Sequence, residues 1–214
     1  EREDECTRLD RRWLLTNYED FTRVVTSDRF ACWQQFRAGA QARRRLPASW
    51  DDRVVDRAEV QVDPVEEIAF SRRVALAIAD ACGGVWLPAS LGSHYIVVNA
   101  YNYYTMIGPR GLMIPVMYRS NSSGQILPYS EVIGGRLHNE SIRETEGVLA
   151  IKTDPDVIIE AVAELQEEIR RGEQRAPTPL QHRFYDLARS LPLRGDSVPR
   201  VSVGFLERYP EWVA

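Results

Sequence analysis

The chain has 214 residues, a formal net charge of −4, 44% hydrophobic residues and 27% charged ones. This is a globular composition, with room for one large domain or for a domain plus a small helical extension. A chain of this size buries roughly 70% of the surface its unfolded form exposes. The charge offers no electrostatic case for wrapping nucleic acid; Arg43-Arg44-Arg45, the densest basic run, reads as a solvated helix end. Apolar stretches such as Tyr95–Asn99 are far too short to span a bilayer. Cys6, Cys32 and Cys82 form no C-x-x-C pair, and His94, His138 and His182 are equally scattered. Neither a disulfide framework nor a zinc site is expected. The expectation is a cytoplasmic protein with reduced cysteines, no metal and no cofactor. The chain opens on Glu1 without an initiator Met or a signal-peptide apolar region, so sequence upstream of it is expected.

In chain order, the charged opening to Asp10 reads as frayed or helical, and Arg12–Thr16 (RWLLT) as a short strand. Phe21–Val25 and Phe30–Arg45 read as helices, the second because Phe30, Trp33, Phe36 and Ala40 recur at helical steps. Pro47–Asp52 is the candidate linker. A helical N-terminal extension over 1–50 is therefore expected ahead of an α/β domain over 51–214. Val54–Val62 suggests a strand. Asp63-Pro64 with Glu66 and Glu67 behind it is a helix start, and that helix should run to about Arg73. Ala75–Ala79 fits a strand buried on both faces, with the tail of the same helix as the alternative.

Cys82-Gly83-Gly84, a short helix over Val85–Leu91, Gly92 and a strand at Tyr95–Asn99 follow. This is the rhythm of a β-α-β unit. From Ala100 to Pro128 the Gly, Pro, Asn and Tyr content predicts a long ordered loop. Ile151–Gly172 is the clearest helix: Asp154 caps it, Pro155 opens it, and Ile158, Val162, Leu165 and Ile169 form an apolar stripe. Arg170 and Arg171 close it before Gly172. Gln181–Arg189 reads as a last amphipathic helix, and Val201–Leu206 as an extended segment. There is no internal repeat.

The Gly83-Gly84 turn is the local feature best suited to chemistry. Glycines let the backbone turn sharply and let a ligand approach closely. If Val85 opens a helix, free backbone N–H groups there suit a phosphate or diphosphate; a ligand-free strand-to-helix connection is the alternative, and Pro88 opposes a long helix. Tyr95, Tyr101, Tyr103 and Tyr104 with Asn99 and Asn102 can stack on a base or sugar, or can serve as core or interface tyrosines. Glu131, Glu140, Glu144 and Glu146 lie in sequence near His138; of these residues, His138 and Glu131 are the candidate catalytic bases.

Taken in order, Cys82-Gly83-Gly84-Val85, Gly92, Asn99-Ala100, Gly108-Pro109 and Ile114-Pro115 form a pattern. Ser130-Glu131-Val132, Thr153-Asp154-Pro155 and Phe205-Leu206 continue it. From about Val65 to the C-terminus this resembles the C-terminal half of a family of bacterial glycosyltransferases expected to adopt the GT-B arrangement of two Rossmann-like domains. Where that family has Ser-Gly-Pro-Ser, this chain has Cys-Gly-Gly-Val, without either hydroxyl. The resemblance implies a Rossmann-like parallel sheet flanked by helices and a metal-independent sugar transfer from a nucleotide-sugar donor to an unknown acceptor. Cys82, Gly83, Gly84, Val85, Asn99 and Tyr101 would then frame the donor, its diphosphate on the turn. Residues 1–60 show no acceptor domain. The alternatives are a non-catalytic Rossmann-like assembly protein, acting as a homo-oligomer or with a partner subunit, and an α/β enzyme of other chemistry.

Overall fold

The computed structural model describes residues 63–80, 85–100, 108–137, 145–151, 153–190 and 200–214, and the backbone of three strands before them. These strands are β1 (Arg12–Thr16), β2 (Gln34–Arg37) and β3 (Val54–Asp56). The chain divides into two compact units, Glu1–Val97 and Val98–Ala214. It is a mixed α/β protein containing a parallel sheet.

In the first unit β2 pairs with β3 and with β1, and β1 with β4 (Val74–Asp80), all parallel. The order is β3-β2-β1-β4-β5, where β5 is His94–Ala100 and its last three residues belong to the second unit. Parallel neighbours need crossover connections. The described part of the last one is α1 (Pro64–Ser71), whose Asp63 cap accepts from the Val65 amide at 2.7 Å. Leu76, Ala77, Ile78 and Ala79 of β4 are each at most 2% exposed, as expected of a strand covered on both faces. The β1–β4 register steps from Arg12↔Val74 to Trp13↔Leu76, so Ala75 is an extra residue on the β4 side. Buried Ser93 donates to the Val74 carbonyl at 2.6 Å and ties the starts of β4 and β5 together.

Two readings of the N-terminal region need correction. Gln34–Arg37, within the helix expected over Phe30–Arg45, is strand β2. Residues 1–50 therefore supply two parallel strands, and the helical extension expected there contains sheet. Arg12–Thr16 is strand β1 as expected, and β3 covers the start of the strand expected over Val54–Val62; the other expectations for 1–62 lie outside the described residues.

In the second unit β6 (Gly111–Pro115) is buried along its whole length and lies next to the end of β5. It also pairs through a parallel bridge, Met113↔Val201, with Met113 N donating to Arg200 O at 2.6 Å and Ser202 N to Met113 O at 3.1 Å. β7 (Met117–Ser120) and β8 (Val148–Ile151) form a separate antiparallel pair. The stretch 100–128, expected as loop, thus holds two strands. Then come α3 (Tyr129–Gly134), α4 (Pro155–Arg171), α5 (Pro179–Ser190), α6 (Val203–Arg208) and a closing 3-10 turn, Pro210–Val213. α4 matches its sequence signals: Asp154 accepts from the Asp156 amide at 2.9 Å, and Gly172 at φ 72° ends the helix in the left-handed region that glycine adopts without penalty. α5 begins with a reciprocal box: Gln181 N donates to Thr178 Oγ1, and Thr178 N to Gln181 Oε1.

Tyr129, Phe184, Phe205 and Trp212 gather α3, α5, α6 and the closing turn into one core, with ring centroids 4.9–5.6 Å apart. The segment expected to be extended over Val201–Leu206 is helical from Val203. Gly204 makes that possible, because a Cβ there would lie 2.8 Å from the Glu160 Cβ on α4.

Candidate functional site

The first unit sets the candidate site by its strand order. From β1 the chain adds β2 and β3 on one side, then returns to place β4 on the other side of β1. Connections leaving the carboxyl ends of β1 and β4 therefore depart in opposite senses, and open α/β sheets bind ligands at this point. Thr16 pairs in register with Ala79, so the two strands end together. Gly83-Gly84 lies in the connection that follows β4 and precedes α2 (Trp86–Ser90). Residues 81–84, and with them Cys82, Gly83 and Gly84, are outside the described residues.

Val85 is the residue before α2, with helical backbone angles and a fully buried side chain. α2 has only five residues, and Pro88 is buried within it. The short helix expected here is present. Tyr95 is 3% exposed in β5 and belongs to the core, the second of the two roles considered for it.

Four candidates fall in the second unit, and two of them are described. Asn99 has φ 50°, a left-handed conformation that asparagine tolerates better than other residues with a Cβ. Its Oδ1 accepts from both Thr153 Oγ1 (2.9 Å) and Thr153 N (3.1 Å). Thr153 is buried directly before the cap of α4, so this amide fixes where the longest described helix begins. Glu131 is exposed in the first turn of α3, whose buried residues are Tyr129, Val132 and Ile133. No described contact joins Asn99 to Glu131. His138 and Tyr101 lie outside the described residues.

Sequence reasoning missed a polar cluster on α4. Arg200, 8% exposed, donates through both terminal nitrogens to the two carboxylate oxygens of Glu168, which is 5% exposed, and Nη1 also reaches Pro109 O at 3.0 Å. Glu168 Oε1 accepts the Arg175 amide at 3.1 Å as well. One turn earlier, Glu164 Oε2 accepts from Val203 N (2.9 Å) and Ser202 Oγ (3.2 Å). Burial raises the Glu164 carboxyl above its usual range, and the bond from Val203 and the nearby Arg200 offset this only in part. Burial likewise raises Tyr185 on α5. The available signal was the position of Glu168, three residues past Leu165 on the apolar stripe.

Among the described residues, no group of three or more His, Cys, Asp or Glu side chains is arranged to hold a metal ion, and no helix is long and apolar enough to cross a membrane. Comparison with protein-family models, with curated proteins and with solved structures finds no match. What stands is the class: an α/β protein with a parallel sheet whose order reverses between β1 and β4.

Proposed function

We propose that the chain is a glycosyltransferase-like protein whose first unit is Rossmann-like and takes the diphosphate of a nucleotide-sugar donor on the Gly83-Gly84 turn. The observation that carries this reading is that β4, the strand Gly83-Gly84 follows in sequence, lies beside β1, where the strand order reverses. Order β3-β2-β1-β4-β5 is that of the doubly wound nucleotide-binding folds. Two glycines supply the close backbone approach a diphosphate needs. Val85 enters the donor set through its backbone, since its side chain is buried. In the GT-B-like reading the turn stabilises the leaving diphosphate electrostatically, without a metal.

The test is thermal unfolding with UDP, GDP and TDP. A nucleotide at a hundred times its dissociation constant stabilises by about 2.7 kcal/mol. The expected result is a rise of several degrees for one nucleotide, abolished in Gly84→Asp. No rise with any of them would end the proposal.

A second reading has its own support. The Asn99 amide oxygen is used by Thr153, Glu131 is exposed away from its helix's buried face, and α2 is a single short turn. These features suit a non-catalytic assembly protein that binds a second copy or a partner subunit. A concentration-dependent mass in sedimentation, together with no nucleotide response, would select it.

A further inference from the structure

The outer edge of β8 has no strand partner among the described residues, and its backbone geometry fits a second copy of itself. In the β7–β8 ladder Arg119 faces Leu149, Tyr118 faces Ala150 and Ser120 faces Val148. Hydrogen-bonded and non-hydrogen-bonded pairs alternate along an antiparallel ladder. The bond from Asn121 N to Gly147 O at 3.0 Å sets the phase. Arg119↔Leu149 is therefore a bonded pair, and the residues of the two pairs beside it turn their backbone groups outward. On β7 those groups are used: Leu127 N donates to Tyr118 O at 2.8 Å, and Ser120 N to Gln125 O at 3.0 Å. On β8 the N–H and C=O groups of Val148 and Ala150 point away from β7, and no described backbone group pairs with them. Leu149, between them, is 48% exposed, the one large exposed apolar side chain of the second unit among the described residues.

We propose that β8 is a dimerisation edge, pairing antiparallel with β8 of a second copy about a two-fold axis through Leu149. The outward groups set the register, because each Val148 can bond only with the other copy's Ala150 if Leu149 lies on the axis. Leu149 then stands opposite its own counterpart in a non-hydrogen-bonded pair, the kind in which side chains approach most closely. The exposed leucine is thereby covered by its equivalent.

Charge supports the same register. Glu146 is exposed just before β8, and Lys152 directly follows the strand. The two positions are equally far from Leu149 in sequence. Antiparallel pairing about Leu149 thus sets each Glu146 against the other copy's Lys152, whereas parallel pairing would gather like charges at each end. This self-complementary order commits the edge to a like chain rather than to an unrelated strand. An isologous contact of this kind closes at two copies. The ladder is short beside the roughly 800 Å² per partner of a stable interface, so the dimer is weak and reversible. The contact gives the second-copy reading its surface, and rests on association with a like chain whether or not that chain also binds a donor.

The experiment uses the full chain. Sedimentation equilibrium is run at rising concentration up to about 1 mM, the range of weak association, and NMR follows hydrogen exchange of single amides. Expected is a monomer–dimer equilibrium in which the Val148 and Ala150 amides gain protection with concentration, while the Leu149 amide, already bonded to β7, does not. Ala150→Pro removes an outward N–H that β7 does not use, and Leu149→Lys sets like charges across the axis. Each should weaken the dimer by about tenfold or more. Lys152→Glu should weaken it too, and adding Glu146→Lys should restore it. If Ala150→Pro does not fold, the exposed Leu149 position decides. A monomer at every concentration, a dimer unchanged in Leu149→Lys, or a charge exchange that restores nothing would overturn the proposal. A dimer in either of the last two cases would leave the second-copy reading standing on another surface.

Discussion

Arg200→Met tests what holds the second unit together. The wild-type guanidinium is 10% exposed at the side chain, its partner Glu168 5%, and the pair is bidentate. Met nearly matches the aliphatic stem, so the change removes charge and donors more than volume. Glu168 would keep the Arg175 amide at 3.1 Å but lose both bonds from Arg200, and Pro109 O would lose a donor at 3.0 Å. Breaking a buried pair by removing one partner costs about 3–5 kcal/mol, because a charge is left uncompensated. Replacing both partners with apolar residues avoids that charge, so Arg200→Met with Glu168→Leu should be more stable than Arg200→Met alone, by about 1–3 kcal/mol. The assay is hydrogen exchange of α4 peptides in increasing urea, which reads the second unit by itself. Either a single-variant loss below about 1 kcal/mol, or a double variant no more stable than the single, would refute the claim that this pair is desolvated and mutually dependent.

Two further perturbations follow from the same helix. Gly204→Ala would place a Cβ 2.8 Å from the Glu160 Cβ and 2.7 Å from its Oε2; the carboxylate can swing away but the Cβ cannot, so a loss of about 1–3 kcal/mol is expected in urea unfolding, and an unchanged midpoint would show that α6 does not sit so close. Glu167 behaves oppositely to Glu164: hydrogen bonds, first from Arg170 and then from Arg171, hold its carboxyl down at about 2. Its contribution is present above the usual 4.5 and is lost as pH falls toward 2. Glu167→Gln should flatten that acid limb of the stability profile; because the group is exposed the effect is small, and a profile that keeps its slope would contradict the assignment.

The elements legible in the sequence are those with local signals. Asp63-Pro64, Asp154-Pro155 and Gly172 mark helix ends through their own hydrogen bonds and backbone angles, and each stands where it was expected. The β5 run HYIVVNA is apolar enough to declare a strand, and the β4 run VALAIAD favoured one while leaving a helix tail open. β2 was hidden because Phe30, Trp33, Phe36 and Ala40 mimic a helical period, while Gln34–Arg37 gains its identity from pairing with β1 and β3. β6 was hidden because Gly111 and Pro115 read as loop residues. The candidate site was legible only as a glycine pair between two elements. That the strand before it lies beside β1 needed the sheet order, and the Asn99 tie to Thr153 spans 54 residues.

Local signals were enough for the helix ends, strand β5, the charge balance and the Gly-Gly connection ahead of a short helix, and they favoured a strand over a helix tail at β4, because these depend on neighbours within a few residues. Tertiary structure alone decided the order β3-β2-β1-β4-β5, the helical state of Val203–Arg208, and the joining of Glu164 and Glu168 to residues 200–203. Each of these rests on partners far away in the chain. A backbone edge takes its partner from whatever strand is packed beside it. A part-buried carboxylate is tolerated where donors from another segment reach it, and no local pattern encodes that meeting.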